Sequence, residues 1–389
     1  MKICILTPRF PFPENGGDVL RINNVARYLK AQGHTLCLVS FAPCKPDLSK
    51  ATELYDSVYY VPLHKAQSYF FSVLYWLLGK PMQCGYYHSK AFLSLLKQVI
   101  EKEHPDRFVA HLLRMTPYLE QLGLQAQSIV EMTDTLSKTY TLAAESQNKG
   151  WMKLVYRMEQ SRIRRYEQWV AKTFPRVVLV SQKDVDYLQA LSPSVQSLVC
   201  CPNGVECLPQ IPADYNPLKI CFVGNMRTLQ NQEAVFYFVK HVLPLILQEQ
   251  PKTMLYIVGA EPPAAIRALA SEHIVITGFV EDVQMAIQDA CVMVAPVFVA
   301  AGIQNKVLVA MGCGVPIVLT SLITQAIPEI KNAENALVAN EPTEIANAVL
   351  DLMANPEKRK AIGKAGYQMV KQHYTWEMKL KGYDNMPFL

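Results

Sequence analysis

The sequence has no long apolar segment. The nearest candidate for a membrane span, Tyr69 to Gly79 (YFFSVLYWLLG), is shorter than the roughly 18 to 20 residues that cross a bilayer. The apolar run in the N-terminal MKICILTPRFPFP is too short for a signal peptide. We therefore expect neither a membrane span nor secretion. A helix packed inside the protein is the favoured interpretation of residues 69–79, and a helix at a membrane interface is the alternative.

Charged residues are also few. They make up 18% of the 389 residues, whereas hydrophobic residues make up 50%, and the formal net charge is +5. This composition excludes a disordered chain. The mild positive charge suits anionic small molecules or an anionic membrane face. It falls short of the basic patches of a nucleic-acid-binding protein, so no nucleic-acid partner is expected.

Cysteine patterns that bind metal are missing. The ten cysteines include no Cys-x-x-Cys pair and no Cys/His cluster with metal-ligand spacing. Several lie inside apolar runs, namely Cys4, Cys37, Cys221 and Cys291. We interpret them as reduced thiols of a cytoplasmic protein, and we predict no metal site.

Two domains are expected from the length and from the order of elements. Strands alternate with helices twice, and the segment CPNGVECLPQIPADYNP, with four prolines, separates the two runs. This pattern predicts an α/β protein with two Rossmann-like, doubly wound domains. The predicted bounds are 1–203 for the first domain, 204–216 for a linker, 217–374 for the second domain, and 375–389 for a segment that returns to the first.

Residues 292–320 (VMVAPVFVAAGIQNKVLVAMGCGVPIVLT) supply a strand, a loop, a helix and the next strand in succession. Gly302 opens the loop, and residues 304–313 carry apolar residues at helical spacing. Backbone N–H groups at the start of this helix, together with Lys306, would attract an anion. The alternative is an ordinary βαβ unit in which Lys306 is solvated.

The first domain carries a second glycine-containing loop, directly after its first strand. Gly16 and Gly17 would let the backbone approach a ligand closely, and Asp18 would cap the helix that contains Arg21. Ligands of doubly wound sheets bind beyond the carboxyl ends of strands. The loop is therefore predicted to be one wall of a cleft, and a turn with a helix cap is the structural alternative.

Arg114 and Asp134 also lie near strand ends of the first domain. We leave open whether they are members of structural ion pairs or cleft residues. Further on, residues 151–171 form an amphipathic helix with a basic face. A solvated face is the favoured interpretation of that helix, and contact with a membrane is the alternative.

Six segments occur in an order that resembles the GT-B glycosyltransferases of family 4, above all their exopolysaccharide-associated branch. They are NGGDVLR, CPNGVE, FVGNM, YIVGAEP, ITGFVEDV and GIQNKVLVAMGCGVPIVLT. The resemblance implies two domains facing a deep cleft. It also implies metal-independent, retaining transfer from a nucleotide sugar to a glycan or lipid-linked acceptor in polysaccharide or glycoconjugate synthesis. A UDP-sugar is the expected donor, with a GDP-sugar as the alternative, and no further cofactor is expected. The expected location is the cytoplasm, with peripheral contact at the inner face of the membrane as an option.

The resemblance also assigns roles to residues. Catalytic roles fall to Lys306, Arg227 and Asp134. Donor binding falls to Gly224, Asn225, Phe279, Val280, Glu281, Gly302, Ile303, Gln304, Asn305 and Val309. Acceptor or cleft positions are Gly16, Gly17, Asp18, Arg21 and Arg114.

The sequence departs from the family at two positions. Ala301 and Val309 stand where the wider family has two glutamates, of which the second binds the ribose hydroxyls. A carboxylate that binds hydroxyls contributes roughly 1.5–3 kcal/mol per hydrogen bond. The departure predicts weaker donor binding. The alternative function is a catalytically weak or silent GT-B protein that binds a nucleotide sugar, a glycan or a partner enzyme, and a nucleotide-sugar epimerase ranks last.

Overall fold

The computed structural model describes residues 1–14, 16–43, 45–146, 150–299 and 303–384. The chain forms two compact units: Met1–Asn203 together with the chain from Lys379 onward, and Gly204–Met378. The predicted linker, residues 204–216, lies inside the second unit. Val205 belongs to the core of that unit, and the buried Tyr215 donates a hydrogen bond to the backbone oxygen of Gly314 at 2.8 Å.

In the described part of the first unit, parallel strands form one sheet. They are β1 (Lys2–Thr7), β2 (Thr35–Phe41), β3 (Ser57–Val61), β4 (Arg107–His111), β5 (Ser128–Thr133), β6 (Arg176–Leu179) and β7 (Leu198–Cys200). The order across the sheet is β3-β2-β1-β4-β5-β6-β7. The central strands are nearly continuous apolar runs because helices cover both faces of the sheet.

Helices of the first unit connect these strands. They are α1 (Gly17–Ala31), α2 (Ser49–Leu54), α3 (Lys65–Leu77), α4 (Met82–Tyr86), α5 (Lys90–Glu103), α6 (Thr116–Gln121), α7 (Leu136–Ser146), α8 (Gly150–Thr173) and α9 (Gln182–Leu191). A 3-10 helix, Leu113–Met115, follows β4.

The second unit has its own parallel sheet within the described residues. Its strands are β8 (Asn216–Val223), β9 (Met254–Val258), β10 (Ile274–Gly278), β11 (Ala290–Ala295), β12 (Ile317–Leu319) and β13 (Leu337–Val338). The order is β10-β9-β8-β11-β12-β13. Strand order therefore reverses between β8 and β11 here, as it does between β1 and β4 in the first unit. Doubly wound sheets bind ligands at the carboxyl-end edge beside this reversal.

The remaining helices complete the second unit and begin the return to the first. They are α10 (Leu229–Tyr237), α11 (Leu243–Glu249), α12 (Ala264–Arg267), α13 (Val283–Ile287), α14 (Asn305–Gly312), α15 (Ser321–Ala326), α16 (Pro342–Ala354), α17 (Pro356–His373) and α18 (Trp376–Leu380). A π-helical turn, Phe238–Val242, joins α10 to α11. None of the described helices is long and apolar enough to cross a membrane.

Candidate functional site

The carboxyl end of β8 in the second unit continues into a tightly packed turn. The backbone N–H of Gly224 donates to the oxygen of Val258 at 3.0 Å, so the ladder with β9 extends past the strand. At Gly259, φ is +152°, and a Cβ there would lie 1.8 Å from the oxygen of Gly224. Only glycine allows this approach, and the turn after β8 is fixed by it.

Asn231 of α10 connects this turn to the predicted lysine. Its Nδ2 donates to the backbone oxygen of Asn225 at 2.8 Å, and its Oδ1 accepts a hydrogen bond from Nζ of Lys306. The turn closes further through Oδ1 of Asn225, which accepts from the N–H of Arg227 at 2.9 Å. Sequence reasoning missed Asn231. Neither its residue type nor its spacing to Lys306 singled it out in the sequence.

Lys306 lies in the first turn of α14, and its ammonium group is partly desolvated. Its Nζ lies 4.9 Å from the centre of the Phe222 ring, and burial lowers the pKa of the side chain to about 8. Among the described residues, no carboxylate pairs with it. A cation that is short of water and bonded to a neutral amide favours an incoming anion.

The start of α14 adds further positive character to the same place. Ile303 and Asn305 are exposed, and Gln304 is the N-cap residue, so the start of the helix lies at the surface. Val309 is half-buried and packs against the core of the second unit. The predicted Gly302 and the substituted Ala301 lie outside the described residues.

Arg227 is placed at the surface. Its side chain is 72% exposed and forms an ion pair with Glu261, which follows β9. An incoming phosphate would have to compete with that carboxylate. The catalytic role of Arg227 stays a prediction.

The segment predicted to hold the base lies at the carboxyl end of the edge strand β10. Gly278, with φ of +67°, ends the strand, and the following Phe279 is 68% exposed. Val280 packs against the core, while Glu281 is exposed. An exposed aromatic ring in such a position can stack on a planar group. β9 separates β10 from β8, so this segment is not part of the cluster around Lys306.

In the first unit, four of the predicted residues line one cavity of about 320 Å³. They are Gly17, Asp18, Arg114 and Asp134. The cavity lies at the carboxyl ends of β4 and β5 beside the start of α1. The pKa of Asp134 is raised, first by burial and then by the charge of Asp184. The cavity wall formed by Arg114 and Asp134 favours the cleft interpretation that the sequence left open, and their role in binding stays a prediction.

Asp18 does not cap α1, contrary to the sequence prediction. The N-cap residue is Gly16, with φ of +125°, and the Asp18 carboxylate accepts a hydrogen bond from Nε of Arg9 at 2.9 Å. Asp18 is the second residue of the helix, too far along it to cap, and Arg9 is its partner instead. A Cβ at Gly16 would lie 2.6 Å from a guanidinium nitrogen of Arg9.

The predicted cleft position of Arg21 is also wrong, because its side chain does not face a cleft. Its side chain and that of Glu131 are both fully buried and form two hydrogen bonds of 3.0 Å. Its remaining nitrogen donates to the backbone oxygen of Pro202 and to Oδ1 of Asn203, and Tyr383 donates to Glu131. Arg21 is therefore a structural cation that ties α1 to β5 and to the end of the described chain.

His111 is a second residue that sequence reasoning missed. It ends β4, is 2% exposed, and neither ring nitrogen has a hydrogen-bond partner among the described residues. Burial lowers its pKa to about 4, so the ring is neutral at pH 7. Its signal was a polar residue at the end of the apolar strand RFVAH. Unpaired buried polar groups need an explanation, and binding of a ligand is one.

Comparisons with known proteins agree with this architecture. Residues 217–355 match the family model described as glycosyl transferases group 1. A Klebsiella pneumoniae protein, described as an uncharacterized 44.6 kDa protein in the cps region, is 21% identical over 392 residues, and the alignment covers 96% of each chain.

Two solved structures share the fold over nearly the whole chain. HepE from Anabaena, in complex with UDP, has a TM-score of 0.61 at 12% identity and covers 99% of this chain and 98% of its own. A variant of S. aureus TarM, in complex with fondaparinux, alpha-GlcNAc-glycerol and UDP, has a TM-score of 0.64 at 11% identity and covers 99% of both chains. At such identities the likeness shows the fold, which is GT-B as predicted. This chain thus has the GT-B fold, and residues 217–355 of its second unit match the glycosyl transferases group 1 model, which supports glycosyl transfer as its activity.

Proposed function

We propose that the chain moves a sugar from a nucleotide-sugar donor to a glycan or lipid-linked acceptor in surface polysaccharide synthesis. The observation that carries the proposal is Lys306, a partly buried cation whose hydrogen-bond partner is the neutral Asn231. It lies at the carboxyl-end edge of the second sheet, beside the start of α14. A diphosphate placed there would be the negatively charged partner that Lys306 lacks.

Transfer is proposed to retain the anomeric configuration and to need no metal. The bond between the sugar and the diphosphate breaks, the acceptor oxygen bonds to the same carbon, and the acceptor proton passes to the departing phosphate oxygen. Negative charge develops on the leaving diphosphate, so fixed donors there lower the barrier. Lys306, the amides of α14 and Arg227 would supply what a divalent cation supplies in other enzymes.

The donor is proposed to be a UDP-sugar, with a GDP-sugar as the second choice. Support comes from the UDP bound in the HepE and TarM structures, both of which share this fold. The proposal of a polysaccharide acceptor draws on the Klebsiella relative, which is described as lying in a cps region.

Val309 favours the second candidate function, a weak or silent protein that only binds. It supplies no carboxylate at the position where the family binds ribose, and its side chain packs against the core. A binding protein would keep the cluster around Lys306 without turning over the donor.

We propose peripheral membrane contact through α3. This helix buries polar residues against the protein and exposes apolar ones. Its buried residues are Ser68 and Ser72, whereas its exposed face is apolar and consists of Tyr69, Phe70, Val73 and Leu77. The interpretation of residues 69–79 as a helix packed inside the protein is therefore wrong for this face. The helix can bury its serines because α4 approaches closely: a Cβ at Gly85 would lie 2.4 Å from the oxygen of Phe71.

The charged residues that neighbour α3 in the sequence suit an anionic bilayer. Residues 57–100 contain no aspartate or glutamate, and they hold the lysines Lys65, Lys80, Lys90 and Lys97. An apolar helix face flanked by cations is typical of interfacial helices. Sedimentation with phosphatidylglycerol vesicles tests this. Phe70→Ser should reduce binding, while Met285→Ser, at a similarly exposed residue of the second unit, should not.

The activity is tested with a panel of UDP- and GDP-sugars. The expected result is that one donor raises the melting temperature and is slowly hydrolysed, because a ligand that binds only the folded state stabilises it. Lys306→Met should abolish both effects, and Lys331→Met, at a lysine that is 65% exposed in the same unit, should leave them intact. Stabilisation without any hydrolysis would favour the binding protein. If no nucleotide stabilises the chain, the transferase proposal is wrong.

A further inference from the structure

A second cavity of the first unit, of about 440 Å³, lies between α3, α4, α7 and α8. Its size falls within the roughly 300–1,000 Å³ of small-molecule sites. Five tyrosines line it: Tyr69, Tyr86, Tyr87, Tyr140 and Tyr156. Tyrosine offers a flat apolar face and a hydroxyl on one side chain, so the wall is suited to a ligand with both kinds of surface.

Three other side chains of this cavity each have one contact that holds them in place and one buried polar atom without a hydrogen bond in the described chain. Oε1 of Glu159 accepts from the N–H of Met82 at 2.6 Å, and Nε2 of Gln83 donates to the hydroxyl of Tyr140 at 2.9 Å. Oε2 of Glu159 and Oε1 of Gln83 are buried without a hydrogen-bond partner among the described residues. Glu159 as a whole is 2% exposed. These oxygens are fixed in position, and neither accepts a hydrogen bond within the described chain, although the charge of Arg162 acts on Glu159.

Arg114 is the third such side chain. Its guanidinium lies 5.2 Å from the centre of the Tyr87 ring, and its Nε is likewise buried and unpaired within the described chain. Arg114 also lines the cavity of about 320 Å³ that holds Asp18 and Asp134. The two cavities therefore share one side chain as a wall.

We propose that the cavity lined by the five tyrosines binds a pyranose residue of the acceptor. The apolar C–H face of a sugar ring packs on tyrosine rings, while its hydroxyls donate to the two fixed oxygens and accept from Nε of Arg114. An acyl chain would fill the same space but leave all three polar atoms unpaired. The proposal rests on the proposed function in one respect, that the saccharide is the acceptor.

The mouth of the cavity supplies a way to block it. Tyr69 and Val155 line the cavity and are partly exposed, at 63% and 41%. Val155→Trp should fill the opening without disturbing the core. Leu154 is the matched control, since it precedes Val155 on α8, is 59% exposed and does not line the cavity.

The test titrates the full-length protein with disaccharides and trisaccharides of common hexoses, and separately with dodecanoate, by calorimetry. We expect a saccharide to bind, Val155→Trp to weaken it by about tenfold or more, and Leu154→Trp to leave it unchanged. Glu159→Gln keeps an oxygen that can accept from Met82 but replaces the second oxygen by an NH2 group, which donates. This variant should therefore also weaken saccharide binding. Stabilisation by UDP, measured on every variant, reports whether the protein is folded.

Three results overturn the inference. Saccharide binding that Val155→Trp leaves unchanged places the saccharide elsewhere. Dodecanoate binding that Val155→Trp abolishes, without saccharide binding, makes the cavity an acyl-chain site. Binding of neither probe, while UDP still stabilises the protein, removes the saccharide site and leaves the proposed function standing. Conversely, saccharide binding at this cavity without any nucleotide stabilisation supports the site and contradicts the transferase.

Discussion

Each of the two units contains a buried or partly buried cation, and the hydrogen-bond partners of these two cations differ in charge. In the first unit, Arg21 is fully buried and bonded to a fully buried carboxylate, Glu131. In the second, Lys306 is bonded to an amide, Asn231, and its pKa falls to about 8. The charge of a cation bonded to a carboxylate is neutralised inside the protein. A cation matched by a neutral group still favours an anion from outside, so the partner of a buried cation, and not its place in the fold alone, identifies a binding residue.

The largest expected effect comes from breaking the matched pair. Arg21→Leu leaves the fully buried Glu131 without its cation, and should lower the free energy of unfolding by about 3–5 kcal/mol. Chemical denaturation measures this. The control is Arg9→Gln, which breaks the exposed pair with Asp18 and should cost less than about 1 kcal/mol. Equal losses in both variants would contradict a special role for burial.

Giving Lys306 a carboxylate should make it resemble Arg21. In Asn231→Asp, the new charge neutralises the ammonium, so affinity for UDP should fall by about ten- to a hundredfold, as for the loss of a charged hydrogen bond. Calorimetry with UDP measures it. Asn231→Ala also loses the bond from Nδ2 to Asn225, and in addition the bond to Lys306, but adds no charge. A loss of UDP affinity as large as that of the aspartate variant would show that charge is not the cause.

The lowered pKa of Lys306 predicts two opposite pH trends. An ordinary lysine titrates near 10.5 and this one at about 8. Between these values the unfolded chain binds the extra proton, so stability should rise with pH as the burial penalty is relieved. UDP binding needs the proton, so affinity should fall by about thirtyfold from pH 7 to pH 9.5. Calorimetry with UDP and chemical denaturation across this range check the two trends. In Lys306→Met, which lacks the titrating group, this rise in stability should be absent.

The smallest expected effect is a gain. Val309→Glu would restore a carboxylate where the family binds ribose, and UDP affinity should rise a few-fold, up to about tenfold. The gain is limited because Val309 also packs against the core. A titration of UDP against UMP and free diphosphate locates the effect: UDP and UMP should gain, and diphosphate should not. Unchanged UDP affinity would show that position 309 does not meet the ribose.

Much of the fold could be predicted because it is encoded locally. Apolar runs such as KICILT and LKICFVG are bounded by glycine and proline, and both lie in strands, β1 and β8. The cluster around Lys306 was predictable in part for the same reason, since a loop and a helix follow a strand in one continuous segment.

The rest depends on contacts between distant parts of the chain. Arg21 and its partner Glu131 are 110 residues apart, and Lys306 and Asn231 are 75 apart. No spacing rule connects such pairs. Helix α3 could not be placed either, because periodicity shows that it has an apolar face but not which side the protein covers.

The return of the chain to the first unit has a consequence for biosynthesis. Tyr383 donates to the buried Glu131, and Asp384 accepts from Tyr28, so residues near the C-terminus complete a network that begins in α1. A ribosome must therefore translate the whole intervening unit before the N-terminal half can finish folding. Until then Glu131 lacks one of its hydrogen-bond donors, and a nascent chain stalled before Tyr383 should remain open to proteases.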